Sequence, residues 1–222
     1  MPPRRQLSER MIAEAALRVV DSEGLDALTM RRVAGELGTG AMSLYNYFPD
    51  KDALLDAVVQ LVLAELEAPP AELGWKEVVR RIMHSVRRTA LRHPHVAPLL
   101  PRFPPRTLDA LAFVEAGFRA TRAAGFDAVT TASIYRVLAS YSFGTLDIEL
   151  NSYFDAPPVA AQAADSMSAP TLAKHLPTLA EMGPHVQNSD HDEEFSRGLE
   201  LLLAAVERFM PPSRVEVGTP GG

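Results

Sequence analysis

The chain predicts an all-α fold, and three observations predict it. Apolar residues recur three and four positions apart along most of its length. No alternating Val/Ile/Thr run bounded by a hairpin turn is present. Ser, Thr and Asp stand before the periodic runs and Gly or Pro after them, the punctuation of helix starts and stops. With 222 residues, 47% of them apolar, the chain can bury a core in one large or two modest domains.

Ser8 predicts the cap of a helix running to about Glu23, with Ile12, Ala16, Val19 and Val20 on one face and Gly24 as its stop. Thr29 caps the next, whose Val33, Ala34 and Leu37 form a buried stripe before Gly38. A short helix over about Ala41 to Phe48 places Leu44 and Phe48 one turn apart, facing inward. Pro49 discourages continuation, and Asp50 caps a fourth helix to about Leu66. Ala68-Pro-Pro breaks the chain. A fifth helix then fits Trp75 to His93, and four prolines between His95 and Pro105 limit that stretch to a turn and loop. Helices fit Arg106 to Ala124 and Ala128 to Asn151 on either side of Gly125. Ala156 to Ala169 reads as a loop, Thr171 to Met182 as a short helix ended by Gly183-Pro184, and Asp192 to Met210 as the last helix. The expected division is a head over residues 1–50, a larger helical body over 51–212, and a disordered tail over 213–222.

The absence of cysteine excludes disulfides and zinc-thiolate sites. MPPRRQLSER has no apolar stretch and is not a secretory signal, and the run from Ala53 to Leu66, broken by Asp56, Gln60 and Glu65, is too short and polar to span a bilayer. A cytoplasmic protein with no membrane partner is expected. The net charge of −6 is unevenly placed. Residues 1–51 hold seven Lys/Arg and seven Asp/Glu, and the remainder fifteen against twenty-one. The head is therefore neutral, and Arg4, Arg5, Arg31, Arg32 and Lys51 are available to face phosphates.

The segment from Leu28 to Lys51, LTMRRVAGELGTGAMSLYNYFPDK, carries the strongest functional signal. Two short helices meet at a glycine-containing turn, and the second bears polar and aromatic groups where a core helix would not. That is the layout of a helix-turn-helix DNA reader. Arg31, Thr39, Gly40, Ala41, Met42, Ser43, Tyr45, Asn46, Tyr47 and Lys51 are the candidate DNA contacts. Ala41 and Met42 suit thymine methyls, and Asn46 suits an adenine edge. The hydroxyls of Ser43, Tyr45 and Tyr47 suit phosphates, as does Lys51, and Arg31 suits a phosphate or a guanine. An ordinary helical hairpin with two surface tyrosines is the competing reading. A dinucleotide site at Gly38-x-Gly40 fails, because a helix precedes it and Ser43 stands where a third glycine is needed.

The stretches LTMRRVAGELG, LYNYF and KDALLDAVV, in that order and spacing, resemble the N-terminal domain of the TetR family of bacterial transcriptional regulators. The resemblance implies a homodimer on a palindromic double-stranded DNA operator, usually a repressor released by a small molecule. Gly74-Trp75, VRRTAL and the ending EEFSRGLELLLAAVERF resemble the tetracycline-repressor-type C-terminal domain. By the same likeness, the histidine that binds the drug falls on Glu67 and the asparagine on Ile82, a departure from the tetracycline–magnesium pattern. The body offers Met83, Val86, Leu100, Phe103, Phe113, Phe118, Tyr135, Leu138 and Tyr141 as candidate walls of a ligand cavity, or as plain core. Arg87, Arg88 and Arg136 are candidates for an acidic ligand. Leu199, Leu202, Leu203, Val206 and Phe209 recur at helical spacing, and the resemblance implies that they form the dimer face, with burial inside the monomer as the alternative.

His93-Pro94-His95 and the acidic run around His191 lack zinc spacing, so no metal or other cofactor is expected. The function expected is a ligand-responsive DNA-binding regulator. A ligand-independent DNA-binding protein is the nearer rival. A small all-α enzyme is the further one, since no nucleophile elbow, phosphate loop or His-Glu-x-x-His is present.

Overall fold

A computed structural model describes residues 7–151, 169–187 and 190–210. No strand occurs among them. The helices are α1 (Glu9–Glu23), α2 (Met30–Glu36), α3 (Ala41–Tyr45), α4 (Lys51–Leu63), α5 (Trp75–Arg92), α6 (Leu108–Ala123), α7 (Ala128–Leu150), α8 (Ala169–His175), α9 (Pro177–Gln187) and α10 (His191–Glu207). The expected caps are in place. Ser8 accepts from the Met11 amide, Thr29 from Arg32 and Asp50 from Ala53, each satisfying a first-turn donor, and Asp127, not expected as a cap, does the same by accepting from Thr130. Gly38, at φ 65°, makes the turn between α2 and α3, where a Cβ would be strained.

Boundaries differ from expectation where local hydrogen bonds compete. α3 stops at Tyr45, because the Tyr47 and Phe48 amides both bond to the Leu44 carbonyl at 2.9 Å and tighten the last turn. α6 starts at Leu108, since Thr107 caps it by accepting from Ala110. The segment expected as one helix ending before Gly183-Pro184 is two helices. α9 continues through Pro184 to Gln187, on an exposed stretch where water can serve the carbonyl that proline cannot bond. The expected loop from Ala156 lies outside the described residues up to 168, and Ala169 opens α8. The tail 213–222, Arg4 and Arg5 lie outside them too.

Two apolar cores organise the molecule. The first joins α1 to α4: Ile12, Val19, Val20, Leu28, Val33, Leu44, Leu54 and Val58 are buried together, and the cluster continues through Val62 to Ala90, Leu100 and Leu146. The head is therefore not separately packed but is continuous with the body through α4. The second core packs α10 on α5 and α7 through Met83, Phe126, Ile134, Leu138, Phe195, Leu199 and Leu203.

Polar contacts pin the same junctions. The Arg87 guanidinium donates to both Glu149 oxygens, at 2.9 and 2.7 Å, pairs with Asp192, and lies 5.3 Å from the Phe195 ring centre. One side chain of α5 thus holds α7 and α10. Burial alone would lower its pKa, but the two carboxylates hold it above the ordinary arginine value. At the head, His93 Nδ1 lies 3.0 Å from both Asp21 oxygens and Nε2 lies 3.1 Å from Glu65, linking α1 to the ends of α4 and α5. Buried Gln60 of α4 donates to the Pro104 carbonyl and accepts from the Arg106 amide, which fixes α4 to the loop before α6.

Candidate nucleic-acid interface and ligand cavity

Leu44 of α3 and Phe48 just beyond its end are buried in the head, so the opposite face is presented outward. Met42, Tyr45 and Asn46 are exposed on it, and Ala41 and Ser43 are half-buried at its edge. Gly40 and Thr39 precede it in the turn, with the Thr39 amide bonded to the Ala34 carbonyl at 2.9 Å. Arg31, on α2, is exposed and makes no ion pair among the described residues. Lys51, exposed at the start of α4, bonds to the Leu25 carbonyl at 3.3 Å.

Two of the expected phosphate groups are otherwise engaged. Arg32 is held by Glu23 and Glu36 and serves to join α1 and α2. The Tyr47 hydroxyl donates to the Leu7 carbonyl at 2.8 Å, which ties the chain entering α1 to α3. With its proton so placed, that oxygen offers lone pairs to a phosphate rather than a hydrogen bond. The Arg32–Glu36 pair follows from i,i+4 spacing on α2, whereas Glu23 on the facing helix and the Leu7 carbonyl, 40 residues from Tyr47, are not exposed by periodicity.

A cavity of about 250 Å³ lies between α4, α5, α6, α7 and the proline-rich loop. Met83, Val86, Leu100 and Phe113 line it, as do Phe118, Tyr135 and Leu138. Phe103 and Tyr141 do not. Phe103 packs into the first core beneath Arg102, and the Tyr141 hydroxyl donates to the Phe195 carbonyl at 2.7 Å while its ring tilts against Phe195. Arg87 is spent on Glu149 and Asp192, and Arg88 and Arg136 are exposed and absent from the wall, so no arginine among the described residues faces the cavity. Among the described residues none on the wall is charged, and Ile82 is on it while Glu67 is not.

Wall residues that sequence reading passed over are Val62, Leu63 and Leu66 at the end of α4, Pro101, Pro104 and Pro105 in the loop, and the hydroxyl residues Thr89, Thr121, Thr131 and Ser142. The proline cluster was the available signal: it marks backbone that cannot close into a helix and so stands off from its neighbours.

The expected dimer face is also redistributed. Leu199, Leu203 and Val206 turn into the second core, against α5 and α7. Leu202 is half-buried, while Leu201 and Phe209 are 69% and 73% exposed. α10 carries two apolar stripes, and helical spacing alone does not say which one the subunit keeps for itself.

A tight helix-turn-helix head, fused through one helix to a larger helical body, defines a transcriptional regulator that reads DNA. Residues 12–58 match the family described as bacterial regulatory proteins, tetR family, and residues 68–210 match the tetracyclin repressor-like C-terminal domain. The chain belongs to the TetR family of DNA-binding transcriptional regulators, a non-enzymatic class. It is 29% identical to an HTH-type transcriptional regulator of Saccharopolyspora erythraea, over 90% of this chain and 84% of that protein. It is likewise 29% identical to the class D tetracycline repressor protein of Escherichia coli, over 91% and 90%. A 42% match to the transcriptional repressor DrrR1 of Streptomyces coeruleorubidus covers 41% of this chain and only 35% of that protein. Among solved structures, Streptomyces coelicolor ActR in complex with actinorhodin superposes with a TM-score of 0.79 at 30% identity, covering 94% of this chain and all of ActR. No helix among the described residues is long and apolar enough to cross a membrane.

Proposed function

We propose that this protein is a homodimeric repressor that holds a palindromic operator through α3 of each subunit and leaves it when a small, largely apolar molecule enters the body cavity. The observation that carries the reading is α4. Its Leu54, Leu55 and Val58 are packed in the head against α1, while Val62 and Leu63, one to two turns on, line the cavity. A molecule that displaces the cavity end of α4 must therefore tilt the head. Gln60, bonded to the loop at Pro104 and Arg106, lies between the two ends and couples the helix to a second wall segment.

The operator reading rests on the outward face of α3. Met42 and Ala41 meet thymine methyls, Asn46 reads a base edge, and Tyr45, Ser43, Arg31 and Lys51 hold phosphates that fix the register. Tyr47 acts as a brace through Leu7. Residues 1–50 serve as the reader and 51–212 as the body. The second subunit docks on the faces of α7 and α10 that one subunit leaves exposed, where Val129, Val137, Leu201 and Phe209 stand. The two reading heads then lie about 34–36 Å apart, one turn of B-DNA. A ligand that favours a body with another head spacing by about 1.4 kcal/mol weakens operator binding tenfold.

ActR, whose fold this chain shares, is known in complex with actinorhodin and with (S)-DNPA, which supports a ligand role for the cavity here. The uncharged wall argues for a molecule unlike a metal-chelated drug. Selection of bound fragments from genomic DNA by the purified dimer tests the reading. The expected result is a single palindromic sequence whose two half-sites are one helical turn apart. Recovery of fragments with no shared sequence would instead indicate a ligand-independent, sequence-tolerant DNA binder.

A further inference from the structure

Two hydroxyls in the cavity are not explained by its apolar character. Thr131 and Ser142, both on α7, line it and are 5% and 2% exposed, and neither hydroxyl has a hydrogen-bond partner among the described residues. Helical hydroxyls ordinarily donate to a carbonyl one turn back. Others on α7 do so: Ser133 donates to Val129 at 3.1 Å and Thr145 to Tyr141 at 2.8 Å. The threonine hydroxyls elsewhere on the wall are satisfied, Thr121 by donating to the Gly117 carbonyl and Thr89 by accepting from Arg92, and the Tyr135 hydroxyl belongs to an exposed side chain that water can serve. Among the described residues, the buried hydroxyls left without a partner are this pair, both on the cavity face of one helix.

Their spacing is informative. Positions 131 and 142 differ by eleven residues, which at about 100° each is roughly three full turns, so both side chains lie on one face. At about 1.5 Å per residue they stand roughly 16 Å apart along the helix. Between them the same face presents Ile134 and Leu138, and the facing wall presents Phe113 and Phe118. Such a wall receives an uncharged body with aromatic surface.

We propose that Thr131 and Ser142 are the two polar anchors of the effector, which is an elongated, uncharged, ring-based molecule with an oxygen function at each end. Three linearly fused six-membered rings place such oxygens about 10 Å apart, and a hydrogen bond of about 2.8 Å at either end brings the span to about 16 Å. This rests on the effector reading above, and adds to it which side chains hold the molecule and how far apart its polar groups lie.

The test uses the full-length protein and three probes by titration calorimetry: 2,6-dihydroxyanthraquinone below its phenol ionisation, 2-hydroxyanthraquinone, and unsubstituted anthraquinone. The diol binds best. Thr131→Val and Ser142→Ala each weaken it on the order of 5- to 10-fold, the double variant combines the losses, and the unsubstituted compound is unaffected. Neither variant melts below the wild type, because neither hydroxyl has an internal bond to lose. Equal binding of the diol to the wild type and both variants overturns the anchors but leaves the effector reading standing. Failure of the wild type to bind any of the three overturns the ligand class, and the effector reading is then decided by whether any compound releases operator. Clearly lowered melting of both variants also overturns the assignment, since it reveals internal partners.

Discussion

Removing the guanidinium of Arg87 probes how the body is held together. The Arg87 side chain is 8% exposed and Glu149 15%, whereas Asp192 is 81% exposed. Arg87→Met strands the Glu149 carboxylate in a nearly dry site, which costs about 3–5 kcal/mol. Asp192→Asn removes a contact that water screens, at about 1 kcal/mol or less. For a chain of this size the first change lowers the melting temperature by roughly 6–20 °C and the second by a few degrees at most. Arg87→Met with Glu149→Leu removes both charges together and regains at least half of the loss, because the cost lies in the orphaned carboxylate rather than in the missing pair. Urea unfolding of the wild type, Arg87→Met, Glu149→Leu and the double variant at one fixed concentration, combined as a double-mutant cycle, measures this, with Asp192→Asn and Glu149→Gln unfolded alongside. The reasoning is refuted if Glu149→Gln costs no more than Asp192→Asn, or if the effects of Arg87→Met and Glu149→Leu simply add.

Three further outcomes are expected. A Cβ on Gly198 would strike the Tyr141 hydroxyl and sit 3.0 Å from its Cζ, and that ring is fixed by its bond to Phe195, so Gly198→Ala destabilises by about 1–3 kcal/mol and the change is seen in thermal melts. In the reader, Tyr45→Phe weakens binding on every operator sequence alike, whereas Asn46→Ala relaxes preference at one base pair by about 1–3 kcal/mol; binding isotherms on an operator and its single-base variants separate the two. His84 has its pKa lowered from 6.5 by burial and by Arg88 and Arg87, against the pull of Asp192 and Glu200. The unfolded chain takes up that proton near pH 6.5 and the folded one only lower, so stability falls as pH drops below 6.5; the urea midpoint declines across that window, and His84→Gln flattens the decline.

The head was legible because its signals are local. The caps at Ser8, Thr29 and Asp50, the φ-positive turn at Gly38 and the inward pair Leu44 and Phe48 each follow from residues within one turn of one another. The body was legible in its helices but less so in its faces. Periodicity identifies apolar stripes without their partners, so Leu199 and Leu203 entered the subunit's own core while Leu201 and Phe209 stayed outside. Phe103 was drawn from the cavity by packing into the first core and Tyr141 by its contacts with Phe195, both of which only the tertiary fold creates. Arg32, Tyr47 and Arg87 carry the same lesson for polar groups: a charge or hydroxyl that reads as free in sequence is committed once a second helix arrives.

The measurement closest to the central claim is fluorescence anisotropy of a labelled operator duplex titrated with the full-length protein at several salt concentrations. The account predicts one dimer per palindrome, affinity that falls steeply with added salt, and loss of binding in Asn46→Ala confined to operators that carry its base pair. A protein that remains monomeric and leaves every duplex unbound at low ionic strength would contradict it.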